Sequence, residues 1–330
     1  MQAFACRRCG SHLYFENSAC VSCGSALGFS REERAIVPVD QDGRYVDAQG
    51  GQWWLCANRE IAACTWLARE RGSLCFNCGL TRTRPNDADQ DGLRAFKATE
   101  SAKRRLIVEL DALELPIVTR AEDPQNGLAF DLLSSAHEPV STGHQNGLIT
   151  IDLAEGDSVH REQLRRELAE PYRTMLGHFR HEIGHYFEMV LVQGDLLDRA
   201  RELFGDDTQD YAAAIDRHYR EGPPASWRES YISAYATMHP WEDFAESFAH
   251  FLHINDTIDT AQSFGLTSVD AEAFRSFRDL VTGVWIPLSV ALNQINRSMG
   301  RDPLYPFVIA APVLDKLEFV ASLSPRYQRL

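Results

Sequence analysis

All eight cysteines fall between residues 6 and 78, and none follows in a chain of 330 residues. A disulfide framework would spread further through a secreted chain of this size. Cysteines bunched into Cys-x-x-Cys pairs read instead as metal ligands in a reducing compartment. The chain therefore divides into a small metal-held part and a larger cysteine-free part that needs an ordinary apolar core. Cys6-x2-Cys9-x10-Cys20-x2-Cys23 is close to a zinc-ribbon spacing. Each pair makes a tight knuckle, Gly10 and Gly24 follow as such turns prefer, and four thiolates close a tetrahedral site with no position left for chemistry. Cys56-x7-Cys64-x10-Cys75-x2-Cys78 is less regular and is expected to form a second structural zinc site. An interleaved pairing, one knuckle from each group, stays open. Without zinc a module this small is not expected to fold.

The formal net charge of -14 removes any global electrostatic support for binding phosphate backbones. The ribbon could touch nucleic acid through Arg7, Arg8, Arg82 and Arg84, but four arginines beside an acidic body are weak support, and nucleic acid is not expected as a partner. No apolar run reaches the length of a membrane span. The first residues lack a charged start and an apolar core, so there is no sign of a secretory leader, and a cytoplasmic location is expected.

Residues 1–84 are rich in Cys and Gly with short alternating stretches, His12 to Phe15 and Trp53 to Leu55. The polar segment Thr81 to Gly92 reads as a linker. A helix is expected over Leu93 to Leu115. Strand-like stretches follow at Leu115 to Thr119, Gly127 to Leu133 and Gly147 to Leu153, the last alternating apolar and polar residues. Beyond it the chain reads as helix over about 160–192, 195–220, 242–254, 268–298 and 312–322. That order is α+β: a ribbon module over 1–84, then a catalytic domain over 85–330.

The strongest signal is His181-Glu182-Ile183-Gly184-His185. Histidines at i and i+4 stand one turn apart on a helix face, so both imidazoles reach one zinc ion. Glu182 projects beside them as a general base for a zinc-activated water. Leu176, Phe179, Ile183, Phe187, Val190 and Leu191 supply an apolar stripe at helical spacing, and Pro171 suits a first turn. His178 shares much of the ligand face but reads as packed or solvated.

Zinc needs one more protein ligand, with a fourth position left for water. Between Tyr235 and His253 the apolar side chains Phe244, Phe248, Phe251 and Leu252 mark a helix, with Glu242, Glu246, His250 and His253 along its other side. Glu242 and His253 are about 16 Å apart on such a helix and cannot share an ion. Glu242 and Glu246 are about 6 Å apart, so one can ligate while the other orients a ligand histidine. Spacing alone does not say which. His239, before Pro240, reads as a turn residue, with a role on an oxyanion as the other option.

Tyr235-x6-Glu242-x3-Glu246 after the His-Glu-x-x-His helix resembles the lethal-factor-like zincins. That likeness implies Glu242 as third zinc ligand, Glu246 as its supporting carboxylate and Tyr235 as a stabiliser of the transition state. The chain as a whole resembles a family of bacterial zinc-binding metallopeptidases with an N-terminal zinc ribbon. The matching pieces are Cys56-Ala-Asn, Cys64-Thr-Trp-Leu, Leu74-Cys-Phe-Asn-Cys-Gly-Leu-Thr-Arg-Thr-Arg-Pro, His181-Glu-Ile-Gly-His185 and Trp241-Glu-Asp-Phe-Ala-Glu-Ser-Phe-Ala-His-Phe-Leu-His253. The resemblance implies a zincin-like fold and hydrolase activity, and supplies no substrate. The expectation is a zinc-dependent peptidase with one catalytic and two structural Zn2+, acting on a peptide or protein, with the ribbon open to a protein partner. The strand Gly147 to Leu153 is expected to line the cleft and to pair with an extended peptide. The rival readings are a zinc amidase acting on a small molecule or modified side chain, and a non-catalytic scaffold with a vestigial site.

Overall fold

Two knuckles organise the start of the chain. Gly10 N donates to Cys6 O and Gly24 N to Cys20 O, both at 2.8 Å. Both glycines sit at positive φ, +75° and +72°, where a Cβ would be strained. The first knuckle joins β1 (Phe4–Ala5) to β2 (His12–Leu13). A hairpin of β3 (Leu27–Ser30) and β4 (Ala35–Pro38) follows, then an antiparallel sheet of β5 (Arg44–Val46), β6 (Gln52–Leu55) and β7 (Leu67–Ala68). The computed structural model describes residues 2–136, 138–156, 174–269 and 274–329. Its small sheets and helices make an α+β protein.

The chain divides into two compact units, Met1–Asp111 with Ile117–Ser158, and Ala112–Pro116 with Val159–Leu330. In the first, the segment expected as a linker is partly strand: β8 (Thr81–Thr83) pairs in parallel with β9 (Ala129–Leu133). The sheet runs β10-β11-β9-β8, with β10 (Gly143–Gln145) antiparallel to β11 (Leu148–Asp152) and β11 parallel to β9. β11 alternates buried and half-buried residues as its sequence suggested. It is an interior strand, however. With β9 on one side and β10 on the other, it has no free edge for an added peptide strand, which overturns that expectation. No strand forms over Leu115 to Thr119, where Thr119 makes only an isolated bridge to Leu128.

After the short α1 (Phe76–Gly79), α2 runs over Gln90–Ala112. Its charged side is buried along with its apolar one. Lys103 pairs with Glu100 at 2.7 Å, both side chains fully buried. Glu100 also accepts from Asn77 at 2.8 Å. Arg104 donates to Glu16 at 2.5 Å and to Ala62 O at 3.2 Å, holding α2 to the cysteine-rich segment. Three of the four arginines named above are occupied by carboxylates: Arg7 by Glu33, Arg82 by Asp131 and Arg84 by Asp87. Arg8 reaches Ser25.

The second unit is helical among its described residues. The start of the helix expected over about 160–192, and Pro171, read as a first-turn residue, lie outside the described residues, which resume at 174. α3 (Met175–Leu191) begins there, its N-cap Thr174 accepting from Gly177 N. The single helix expected over 195–220 is two, α4 (Asp195–Phe204) and α5 (Tyr211–Glu221). Gly205 ends the first at φ +104° and Asp210 caps the second, a stop and a start within six residues. α6 extends over Pro240–Ser263, well past the expected 254. The helix expected over 268–298 passes through undescribed residues 270–273, then appears as α7 (Phe277–Leu280), a π turn (Val281–Trp285) and α8 (Ile286–Ser298). α9 spans Ala311–Ser322. No described helix is long and apolar enough to cross a membrane.

The contact that positions the candidate site is α3 against α6. Gly184 faces Ala245, and a Cβ on Gly184 would stand 2.9 Å from Ala245 Cα and 3.1 Å from Phe248 Cβ. No side chain fits, and the helices close to backbone distance. Phe187 stacks on Phe248 with ring centroids 5.3 Å apart. α6 is buried around most of its circumference. His250 Nδ1 lies 2.8 Å from Tyr305 Oη, and His253 Nδ1 lies 2.6 Å from Arg180, which also donates to Asp256. The polar side of this helix is therefore an internal network.

Candidate metal centres

The cysteines gather into two groups that do not interleave: Cys6, Cys9, Cys20 and Cys23, and Cys56, Cys64, Cys75 and Cys78. In the first, Cys6 and Cys23 sulfurs lie 3.8 Å apart and Cys9 and Cys20 sulfurs 3.6 Å; in the second, Cys64 and Cys75 are 3.6 Å apart. Sulfurs at about 2.3 Å from a tetrahedral zinc stand about 3.8 Å from one another. A disulfide would bring them to about 2.05 Å. The donor sets thus fit zinc. The first group is half open: Cys9 is exposed, and Ser25 beside Cys23 lowers that thiol to about 6. The second is buried throughout, and Cys56 Sγ accepts from the backbone N–H of Asn58 and Cys75. Such N–H bonds stabilise thiolate over thiol.

The third group is His181, His185 and Glu242, whose donor atoms lie within 4.8 Å of one another. α3 presents the two imidazoles one turn apart, and α6 brings Glu242 over them. Glu242 Oε2 stands 3.0 Å from His181 Nε2 and 3.6 Å from His185 Nε2, yet is buried without a hydrogen bond. Ligands at 2.0–2.1 Å around a tetrahedral ion stand about 3.3 Å apart, so the donor set fits zinc here too. Electrostatics agree. Burial opposes a charged His181, but Glu242 and Glu246 raise its pKa well above the usual imidazole range. Two carboxylates flank one ring, and a cation is what satisfies them.

Spacing left Glu242 and Glu246 as alternatives, and the structure gives them different places. Glu246 Oε1 sits 2.8 Å from His181 Nδ1, the nitrogen turned away from the cluster. It is placed to fix the tautomer that exposes Nε2. Glu182 Oε2 is buried with no hydrogen-bond partner, and burial pushes its carboxyl above the usual range. The Tyr235 ring lies 5.9 Å from that of His181. His178 is not part of the group.

The oxyanion option for His239 does not survive. Its Nδ1 accepts from Trp241 N at 3.1 Å as the N-cap of α6, which leaves Nε2 as the protonated nitrogen, donating to Gln209 O at 3.2 Å. One site residue was missed. Tyr211, at the start of α5, donates its hydroxyl to Glu242 Oε1 at 2.7 Å. Nothing in its sequence surroundings marks it, because the pairing spans 31 residues and depends on the break at Gly205 to Asp210.

Residues 92–323 match the family described as "Putative zinc-binding metallo-peptidase". The chain belongs to this metallopeptidase family. Residues 3–89 match a zinc-ribbon domain. Zinc-ribbon region followed by metallopeptidase-like domain is thus the order of the chain. Among relatives of this family member are uncharacterized proteins of Mycobacterium bovis and of two strains of Mycobacterium tuberculosis. Each is 55% identical over 329 residues, covering 97% of this chain and 94% of the relative. No solved structure matches the chain.

Proposed function

We propose that this family member is a zinc-dependent peptidase whose catalytic metal is held by His181, His185 and Glu242, with two further zinc ions held by the cysteine groups. The observation that carries the reading is the convergence of two Nε2 atoms and an unbonded Glu242 Oε2, with the buried, unbonded Glu182 Oε2 on the helix of the two histidines. Zinc bound there supplies a Lewis acid and lowers the pKa of water. Glu182 accepts the proton of the attacking water and delivers it to the leaving amine. Glu246 holds His181 in the tautomer that turns Nε2 to the site. Tyr235 donates to the oxyanion of the substrate carbonyl. The domain boundary near residue 84 and a cytoplasmic location belong to the same proposal.

Elemental analysis tests the metal count directly. Zinc per chain is expected to be three for the native protein, one per group. It should fall by one in a His181→Ala/His185→Ala variant. Cleavage of a mixed peptide library, read by mass spectrometry, should disappear in that variant. An unchanged zinc count would remove the catalytic reading and favour a scaffold.

A further inference from the structure

We infer that Tyr211 is a positioning residue of the His–Glu metal site: its hydroxyl holds the outer oxygen of Glu242 so that the inner oxygen alone turns to the metal. The inference rests on the reading of His181, His185 and Glu242 as zinc ligands. A carboxylate has two equivalent oxygens and can meet an ion through one or both. Here Oε1 accepts from Tyr211 at 2.7 Å while Oε2 faces both imidazoles. Hydrogen bonds to an ionised acceptor are about twice as strong as neutral ones, so this one has the strength to select a rotamer. Single-oxygen ligation keeps a coordination position for water, which a catalytic site needs and a closed one does not.

The tyrosine is itself braced. Its ring stands edge-on to His239, centroids 5.3 Å apart, and 5.7 Å from the Trp241 ring. His239 ties Gln209 O, two residues before Tyr211, to the first turn of α6, one residue before Pro240. The start of α5 is thus clamped to the turn of α6 that carries Glu242. Asp210 completes the clamp by accepting from Ala213 N at 3.1 Å, which fixes where α5 begins. A hydroxyl that merely filled a buried acceptor would not need a histidine bridge between the two helix starts. A ligand carboxylate that must stay in one rotamer does. Orienting groups of this kind change metal affinity by about 10- to 100-fold when removed.

The test uses Tyr211→Phe in the full chain, which removes one oxygen and keeps the ring packing. Zinc affinity is measured by chelator competition, following only the ion lost in the His181→Ala/His185→Ala variant. Tyr211→Phe is expected to weaken that ion about tenfold and to leave the cysteine-bound ions in place. Melting is compared in the His181→Ala/His185→Ala background, where this site holds no zinc, and the substitution should not move the midpoint there. Unchanged affinity, or a midpoint lowered equally in both backgrounds, would show a packing role and overturn the inference. If the histidine variant loses no zinc, the metal-site reading fails and the role of Tyr211 fails with it. If that variant loses one ion while Tyr211→Phe binds it as tightly as the native chain, only the inference about Tyr211 is wrong.

Discussion

The cysteine groups and the His–Glu group hold their donors by opposite means. In the first unit the donors come from knuckles and short loops, and the strands between them are only two to four residues long. A ring cluster of Phe4, Phe15, Phe29 and Trp66 packs beside them, but the loops that carry the thiols have no long regular element to hold them and are expected to depend on the ion for their shape. In the second unit the donors stand on α3 and α6, two long helices fixed by Phe179, Ile183, Phe187, Phe244 and Phe248, all fully buried. That scaffold has an apolar core that contains none of the ligands. On the proposed reading, the difference teaches that a zinc site meant to react is mounted on helices with an apolar core of their own. Its donors can then leave a position open without the fold collapsing into it.

The largest effect that would break this contrast is on folding. Cys75→Ser removes a donor from the buried group, where Cys75 Sγ also caps α1. Structural zinc contributes about 10–16 kcal/mol in small modules, as much as a domain's whole margin of about 5–15 kcal/mol. The first unit should fail to fold, seen as loss of its near-ultraviolet circular dichroism and rapid proteolysis within residues 2–111, while the helical unit keeps its signal. A protein that melted as the native does would show that this group is not what holds its unit together. Glu182→Gln comes next and should do the reverse. Turnover on any cleaved peptide falls by about 10²- to 10⁴-fold, with zinc content and melting midpoint unchanged. Retained activity would remove Glu182 as the base.

How far the sequence carried the reading follows the same division. Knuckles and the i, i+4 histidine pair are local, so their residues announced themselves. Gly10, Gly24 and the spacing around them predicted turns that are present. What the sequence did not show was non-local. The edge status of β11 depends on β10, a three-residue strand with no periodicity of its own. The internal polar network of α6 depends on Arg180 and Tyr305, 73 and 55 residues away from their partners. Tyr211 depends on a helix break and a clamp through His239. A polar residue on a helix reads as solvent-facing until its partner is known, and sequence periodicity cannot supply the partner.

The buried histidines give a third way to separate the two units. His250 is held down to about 4, first by burial, and burial with the charge of Arg180 pushes His253 well below the ordinary range. Both are neutral in the folded state and gain protons on unfolding, so the unfolded chain binds more protons and stability rises with pH. The contribution is complete above the unfolded value near 6.5 and is lost as pH falls toward 4. For His250 alone it amounts to about 3 kcal/mol. Melting of the helical unit should therefore weaken between about pH 6.5 and 4, and His250→Gln should flatten part of that slope. A slope that His250→Gln leaves untouched would assign acid lability to other groups.

The smallest expected effect tests the contact on which the contrast depends. Gly184→Ala adds one methyl where Ala245 Cα would stand 2.9 Å away, and backbone cannot rotate aside as a side chain can. In an isolated helix the same change would be favourable by about 1 kcal/mol, because alanine is the better helix former. Overpacking costs about 1–3 kcal/mol, so a net destabilisation of up to about 2 kcal/mol is expected, read as a lower melting midpoint of the helical unit. The signature lies in the metals. Pushing α6 off α3 withdraws Glu242 from His181 and His185, so zinc at that site should weaken while both cysteine groups keep theirs. If Gly184→Ala lowered the midpoint and left zinc affinity at the His–Glu site intact, Glu242 would not be held there by helix packing. The clamp from Tyr211 and His239 would then have to position it alone.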